Sequence, residues 1–312
     1  MNNKVKGYLL GAVAAASYGT NPLFALPLYA EGFSPDSVLF FRYLFALPIL
    51  AFMLKWRGHS FRISRADLVP LVILGLIFAL SSLSLFQSYN YMDAGIASTI
   101  LFVYPIMVAV IMAMFFHEKL TIQTILCLLM AIGGIGLLYQ NEDGATLSFV
   151  GTMIVFLSSL SYAIYIVAIN KTRLHDMVTL KVTFYVVLFG WFLFAGRTLI
   201  SGELQVPQST DWWLWGNLIA LAVMPTAISL LCTTGAIQYI GSTPTAILGA
   251  LEPVTAVFFG VTVFGEQLTM RSTIGLILII VAVTIVVAGG GITKHLVRFR
   301  KLFPRIIKKV KK

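Results

Sequence analysis

The sequence predicts an all-α integral membrane protein, with ten transmembrane helices in two inverted five-helix repeats and both termini in the cytoplasm. Three observations predict it. The chain is 59% hydrophobic and only 11% charged, whereas about a quarter of a soluble globular domain is charged. Ten nearly uncharged runs follow one another along it; each has the roughly 20 residues that cross about 30 Å of hydrocarbon as a helix. The third observation is a duplication. Tyr91-Met92-Asp93, Tyr104-Pro105 and His117-Glu118-Lys119-Leu120-Thr121 match Tyr239-Ile240-Gly241, Glu252-Pro253 and Gly265-Glu266-Gln267-Leu268-Thr269 without a gap, at an offset of 148. A second match, at an offset of 144, pairs Gly7, Ser17 and Tyr18 with Gly151, Ser161 and Tyr162.

The spans are expected at about 6–29, 35–55, 68–91, 94–116, 121–139, 147–169, 177–200, 212–239, 242–264 and 270–290. The first follows Lys4 and Lys6 as a signal peptide would, but its apolar stretch is longer than a signal core and nine spans follow, so it is read as retained. The second carries Arg42, about two turns in. The third bears a stripe of Ser84, Gln87, Ser88 and Tyr91, and the fourth is interrupted by Pro105. The fifth is rich in small residues, Ala131, Gly133, Gly134 and Gly136. The sixth places Ser158, Ser161, Tyr162 and Tyr165 on one face; its repeat-related face in the first span is Ala14, Ser17, Tyr18 and Asn21. The seventh begins within the basic stretch Lys171–Lys181. The eighth carries Thr226, Ser229, Thr233 and Gln238, less cleanly aligned, the ninth carries Glu252-Pro253, and the tenth ends in Gly289-Gly290-Gly291. The resulting units are a first repeat at 1–142, a second at 143–291 and a basic cytoplasmic tail at 292–312.

Charge sets the orientation. With the N-terminus inside, 19 of the 22 basic residues fall in or beside cytoplasmic segments, and eight of the twelve acidic ones fall outside; basic residues govern topology. Five spans per repeat is odd, so the second half enters the membrane from the opposite side. Inverted repeats give alternating access a physical basis, around a site at the bilayer midplane. The net charge of +10 does not indicate nucleic acid, because nine of the basic residues are concentrated in the tail from Lys294. Such a tail fits anionic lipid headgroups, and its interleaved apolar residues suit an amphipathic segment on the membrane surface.

Cys127 and Cys232 lie inside predicted spans and behave as small apolar residues. The four histidines have no ligand spacing, so neither a metal nor another cofactor is expected. There is no HExxH sequence and no nucleotide-binding loop, so an enzyme is not expected. A channel would need a continuous polar pore, whereas the polar residues here cluster near the middle of a few spans.

The two Pro-interrupted helices with their Glu-x-Leu-Thr endings resemble the hallmark segment of the drug/metabolite transporter superfamily, in its EamA-domain branch. The second copy follows the pattern closely. The first has Tyr104 before Pro105 and His117 where glycine is usual. The resemblance covers about residues 6–290 and implies a ten-helix secondary transporter, commonly an exporter of amino acids or other small metabolites.

Several residues are candidates for a substrate site. Proline has no amide hydrogen, so Pro105 and Pro253 leave the carbonyls of Leu101 and Gly249 without their helical donors, and in a membrane these must find a neighbouring helix, a cavity or a ligand. Tyr104, Pro105, Glu252 and Pro253 are therefore candidate helix-break and gating positions. Tyr18, Asn21, Gln87, Tyr91, Tyr162, Tyr165 and Gln238 are the candidate substrate contacts, since amide and phenol groups both bind and orient a polar solute. Glu252 is too deep to snorkel and is the candidate for proton coupling, with Arg42 as a candidate ion-pair partner. The expected activity is export of small polar metabolites, amino acids and aromatic ones in particular. The alternative is an importer or exchanger of a sugar, nucleoside or drug-like compound. The expected partners are a small-molecule substrate and the lipid bilayer of a bacterial inner membrane. The chain is expected to be a monomer, with the small-residue faces of the fifth and tenth spans as an alternative dimer seam.

Overall fold

A computed structural model of the chain describes residues 3–116, 148–241, 251–271 and 273–282, with positions 126, 129, 130, 133, 134, 137, 245, 248, 249 and 285. The turn at Glu118, Cys127, most of the fifth span, Gly289–Gly291 and the basic tail lie outside the described residues. All regular structure among the described residues is helical. Seven helical stretches are long and apolar enough to cross a membrane: Asn3–Ala30, Pro35–Trp56, Arg65–Ser88, Ala94–Phe116, Phe149–Lys171, Thr179–Ser201 and Trp212–Ile240. Two shorter apolar helices, Leu251–Phe264 and Thr273–Ala282, stand where the ninth and tenth spans are expected.

The starts of these helices follow from sequence. Ser34 and Ser64 are N-caps whose hydroxyls accept from the amides of Ser37 and Asp67, opening α3 (Pro35–Trp56) and α4 (Arg65–Ser88) in the ordinary capping geometry. Ser148 does the same through Gly151 for α7 (Phe149–Lys171). Helix α8 (Thr179–Ser201) stops at Gly202, whose φ of 66° is one that glycine adopts without strain.

Three spans are not the uniform helices that their hydropathy suggests. The first is two helices, α1 (Asn3–Tyr18) and α2 (Asn21–Ala30), a correction to the single helix expected over 6–29. Pro22 has no amide to offer the carbonyl of Tyr18, and the Thr20 hydroxyl donates to the Ser17 carbonyl at 2.6 Å. Gly19 lies against the backbone of the ninth span, where a Cβ would come within 2.5 Å of the Glu252 carbonyl oxygen. The fourth span breaks at Phe102–Val103 into α5 (Ala94–Leu101) and α6 (Tyr104–Phe116), so Pro105 sits at the start of a new helix, where proline is tolerated. The Leu101 carbonyl takes the Ser159 hydroxyl of α7 at 2.6 Å, so a neighbouring helix supplies its donor. The eighth span contains a π-helical stretch, Val223–Ile228, between α9 (Trp212–Ala222) and α10 (Ser229–Ile240). Pro225 again removes a donor, and the Thr226 hydroxyl substitutes for it on the Leu221 carbonyl at 2.8 Å. Helix α11 is Leu251–Phe264 and α12 is Thr273–Ala282.

Helix α1 packs on α10, α4 is held between α7 and α8, α3 lies against α8 and α9, α5 lies on α11, and α6 on α7. Gly134 of the fifth span meets Ile279 and the Gly275 carbonyl of α12, so at that point the small-residue face is occupied within the chain. Charged segments sort to two ends. One end gathers Lys6 with Tyr239 and Lys181 with the Arg62 carbonyl. The other gathers Arg197 with Asp36, Gln205 with Ser34 and Gly32, and Glu266 with Ala94.

Helices α4 and α8 cross closely at Gly75 and Gly190. A Cβ on Gly190 would stand 2.7 Å from Tyr43 Cε1 and 3.3 Å from both Ala79 Cβ and the Gly75 carbonyl, whereas one on Gly196 of the same helix would meet nothing within 4 Å. Gly190→Leu is therefore expected to destabilise the bundle by about 1–3 kcal/mol through overpacking, and Gly196→Leu to be near neutral. Thermal unfolding in detergent checks the pair; equal transitions would mean that the crossing has slack.

Candidate functional site

A small cavity lies near the middle of the bundle, where α1, α7 and α10 meet the start of α6 and of α11. Gly11, Ala14 and Ala15 leave the space, and Tyr18, Tyr104, Tyr162, Ser229, Thr233 and Glu252 provide its polar and aromatic wall. Its volume is about 20 Å³, enough for about one water molecule.

Glu252 sits in the first turn of α11 and is 3% exposed. Among the described residues no hydrogen bond or ion pair reaches its carboxylate; the two ion pairs are Arg197–Asp36 and His175–Asp176. Three aromatic rings stand around the same space. Tyr18 and Tyr162 are stacked with centroids 6.1 Å apart and planes at 9°, and Tyr104 meets Tyr162 edge-on at 4.7 Å. Tyr165 stacks behind Tyr162, also at 6.1 Å, and is fully buried. The Ser229 hydroxyl donates to the Ala14 carbonyl at 2.9 Å, tying α10 to α1 at the cavity wall.

Arg42 is not paired with Glu252, which corrects the expected ion pair. It is fully buried; its Nε donates to Thr226 Oγ1 at 2.5 Å and its Nη2 to the Pro225 carbonyl at 3.2 Å. The Phe86, Tyr18 and Tyr43 rings lie 5.1, 5.9 and 6.0 Å from its guanidinium carbon, and Nη1 has no hydrogen-bond partner. The proline-distorted eighth span presents a carbonyl and a hydroxyl to the guanidinium, and the aromatic faces supply the rest of its charge environment.

The structure separates the sequence-predicted contacts into groups. Tyr18, Tyr104, Tyr162 and Glu252 line the cavity. Asn21, first residue of α2, is buried with neither amide atom partnered, and Tyr165 is buried with an unpartnered hydroxyl. Gln87, Tyr91 and Gln238 lie elsewhere. Gln87 accepts from Asn90 at 3.2 Å near the end of α4. Tyr91 is 49% exposed, and its Cβ comes up against Gly151. Gln238 donates to the carbonyls of His175 at 3.1 Å and Met177 at 2.7 Å and takes the Thr179 hydroxyl, fastening α10 to the start of α8. Helical spacing places a residue on a face; it does not set its depth, and these three are a turn or more from the centre. Thr245 lines the cavity without having been singled out; its repeat counterpart, Ala97, gives no polar signal.

Glu266 does more than bound a turn. Its carboxylate reaches from the end of the ninth span to the N-terminus of α5, accepting from the amides of Ala94 at 3.1 Å and Gly95 at 3.4 Å. An acid is well placed at a helix N-terminus. Burial, and then the nearby Asp93 carboxylate, raise its carboxyl above the usual range, while the two amides pull the other way.

Broken apolar helices around a buried carboxylate and an aromatic wall define a class, the multi-pass membrane transporter. Residues 5–140 and 149–288 each match the EamA-like transporter family, and the chain belongs to that family. It is 29% identical over 250 residues to an uncharacterized transporter of Archaeoglobus fulgidus, covering 80% of this chain and 85% of that one. It is 25% identical over 275 residues to the uncharacterized transporter YcbK of Bacillus subtilis, covering 86% and 87%. A protein of known crystal structure superposes with a TM-score of 0.70 over 93% of this chain and 98% of its own, at 16% identity; that likeness is one of fold alone.

Proposed function

We propose that this transporter is a secondary carrier of the plasma membrane that exports amino acids, aromatic ones among them, by alternating access around the Glu252 cavity. In this reading ten spans form two inverted repeats with cytoplasmic termini, and the end bearing Lys6 and Lys181 is the cytoplasmic one. The carrying observation is the unpartnered Glu252 carboxylate facing a cavity walled by three tyrosine rings. A substrate ammonium would pair with that carboxylate, and the ring faces favour both a cation and an aromatic side chain. Arg42, with Nη1 unpartnered, is suited to a substrate carboxylate.

The pattern of helix contacts supports two related halves. Helix α1 packs on α10, and its repeat counterpart α7 packs on α4, the counterpart of the eighth span. The cavity as it stands holds about one water, so a substrate enters only when the halves part, the motion inverted repeats provide.

Counterflow tests the reading. Proteoliposomes preloaded with unlabelled phenylalanine should take up labelled phenylalanine, tyrosine or tryptophan faster than protein-free vesicles do, and faster than a labelled sugar or nucleoside under the same preload. Counterflow confined to sugars or nucleosides would replace the amino acid as substrate.

A further inference from the structure

A second cavity, of about 440 Å³, opens at the bundle end that carries Lys6 and Arg57. It lies between the start of α1, the end of α3, the start of α8 and α10, and shares no lining residue with the Glu252 cavity. Ser229, bonded to Ala14, belongs to the first cavity, and its neighbour Ile228 to the second. Lys6, Arg57 and His59 line it together, and none of its lining residues is acidic. Lys6 donates to the Tyr239 hydroxyl at 3.1 Å, which holds its ammonium at the mouth. Met53, Leu231 and Ile228 make the wall apolar.

Beside the cavity runs an open groove of about 310 Å³ formed by Phe52, Met53, Trp56 and Arg57. Met53 and Arg57 line both, so the two spaces adjoin at these side chains. Phe52 and Trp56 are 62% and 78% exposed, with ring centroids 5.4 Å apart. An exposed tryptophan at the end of a span marks the level of the lipid headgroups. Cations thus stand at the head of an apolar track that opens toward lipid.

We propose that this surface binds one anionic phospholipid, its phosphate held by Lys6, Arg57 and His59 and an acyl chain laid along Met53, Phe52 and Trp56. A small free anion would use the cations and leave the track uncovered. A zwitterionic lipid would bring its own cation against Lys6 and Arg57. Its residues all precede the basic tail in sequence, and it bridges helices of both sequence repeats, α1 and α3 with α8 and α10.

Cys232 lines the cavity and serves as a reporter. With Cys127→Ser in the full-length chain, the rate at which N-ethylmaleimide labels Cys232 is measured in nanodiscs of phosphatidylcholine with and without phosphatidylglycerol. Phosphatidylglycerol should slow labelling, and each of Lys6→Ala and Arg57→Ala should weaken the lipid's protection about fivefold, the usual worth of one basic residue near an anionic surface. Equal rates in the two lipids, or protection that survives both substitutions together, would overturn the proposal. Protection by inorganic phosphate alone, in phosphatidylcholine, would overturn the lipid as occupant in favour of a free anion. A brominated phosphatidylglycerol gives a second measurement: it should quench tryptophan emission more in the parent than in Trp56→Phe, and an equal loss in both counts against the track.

Discussion

Glu252→Gln is expected to abolish accumulation of substrate driven by an imposed pH gradient, while counterflow remains measurable. Glutamine keeps the shape of the side chain and its capacity for hydrogen bonding, so the cavity and the first turn of α11 should persist. What it loses is the ability to take up a proton on one side of the membrane and release it on the other. Glu252 is suited to that task because its carboxylate is buried and, among the described residues, unpaired, so no neighbouring cation holds it permanently ionised. Its repeat counterpart is Tyr104, a neutral phenol on the same cavity, which leaves one carboxyl for both halves to share. Glu252→Ala goes further and should weaken binding of an ammonium-bearing substrate on the order of 100-fold, the scale for removing one partner of a buried charge pair. If the glutamine variant concentrates substrate as well as the parent does under the same gradient, the coupling role is wrong.

Arg42→Lys is expected to raise the KM for the proposed amino-acid substrate at least about tenfold, because an ammonium cannot reproduce a planar, forked donor lying among aromatic rings. In the structure the guanidinium reaches both Thr226 Oγ1 and the Pro225 carbonyl while three rings lie within 6.0 Å. A lysine has three donors but lacks the planar fork that spans these two acceptors and the flat face that lies against the rings. Arg42→Met separates binding from stability. It fills comparable volume without a buried charge, although the Pro225 carbonyl loses its donor from Arg42 at a cost of about 1–3 kcal/mol. Methionine is therefore expected to lower the unfolding temperature modestly while the protein still folds, and to lose saturable transport. If Arg42→Met transports with the parent KM, the guanidinium holds the π-helical stretch in place and takes no part in binding.

The contact of Glu266 with the start of α5 shows how far local sequence reaches. Glu-x-Leu-Thr marks the end of a span, and that is where Glu266 lies, just past α11. Its bonds to Ala94 and Gly95 join residues more than 170 positions apart, so no local pattern could disclose them. Arg42 is similar. Its presence in a span is visible at once, and intramembrane acids are rare enough to make Glu252 the obvious partner, yet the π-helical stretch around Pro225 brings Thr226 and a carbonyl to it instead. Pro105 was the clearest local signal: a missing amide hydrogen has to show near its carbonyl, and Leu101 takes its donor from Ser159. The break at Gly19 was hidden because hydropathy averages across it.

The sequence by itself determined that this chain is a helical membrane protein, that its core motif occurs twice, and that it belongs with the EamA-like transporters. These are properties of composition, run length and repetition, and each is read along the chain without knowing which residues meet in space. Only the tertiary structure decided which polar residues meet. A helical period states the direction in which a side chain points, but the depth at which it meets another helix depends on how the helices cross, and that is set by contacts such as Gly75 with Gly190 or Gly19 with the backbone of Glu252. Hence Tyr18, Tyr104, Tyr162 and Glu252, drawn from four spans, share one small cavity, while Gln87 bonds locally to Asn90, Tyr91 stands half exposed and Gln238 fastens α10 to the start of α8.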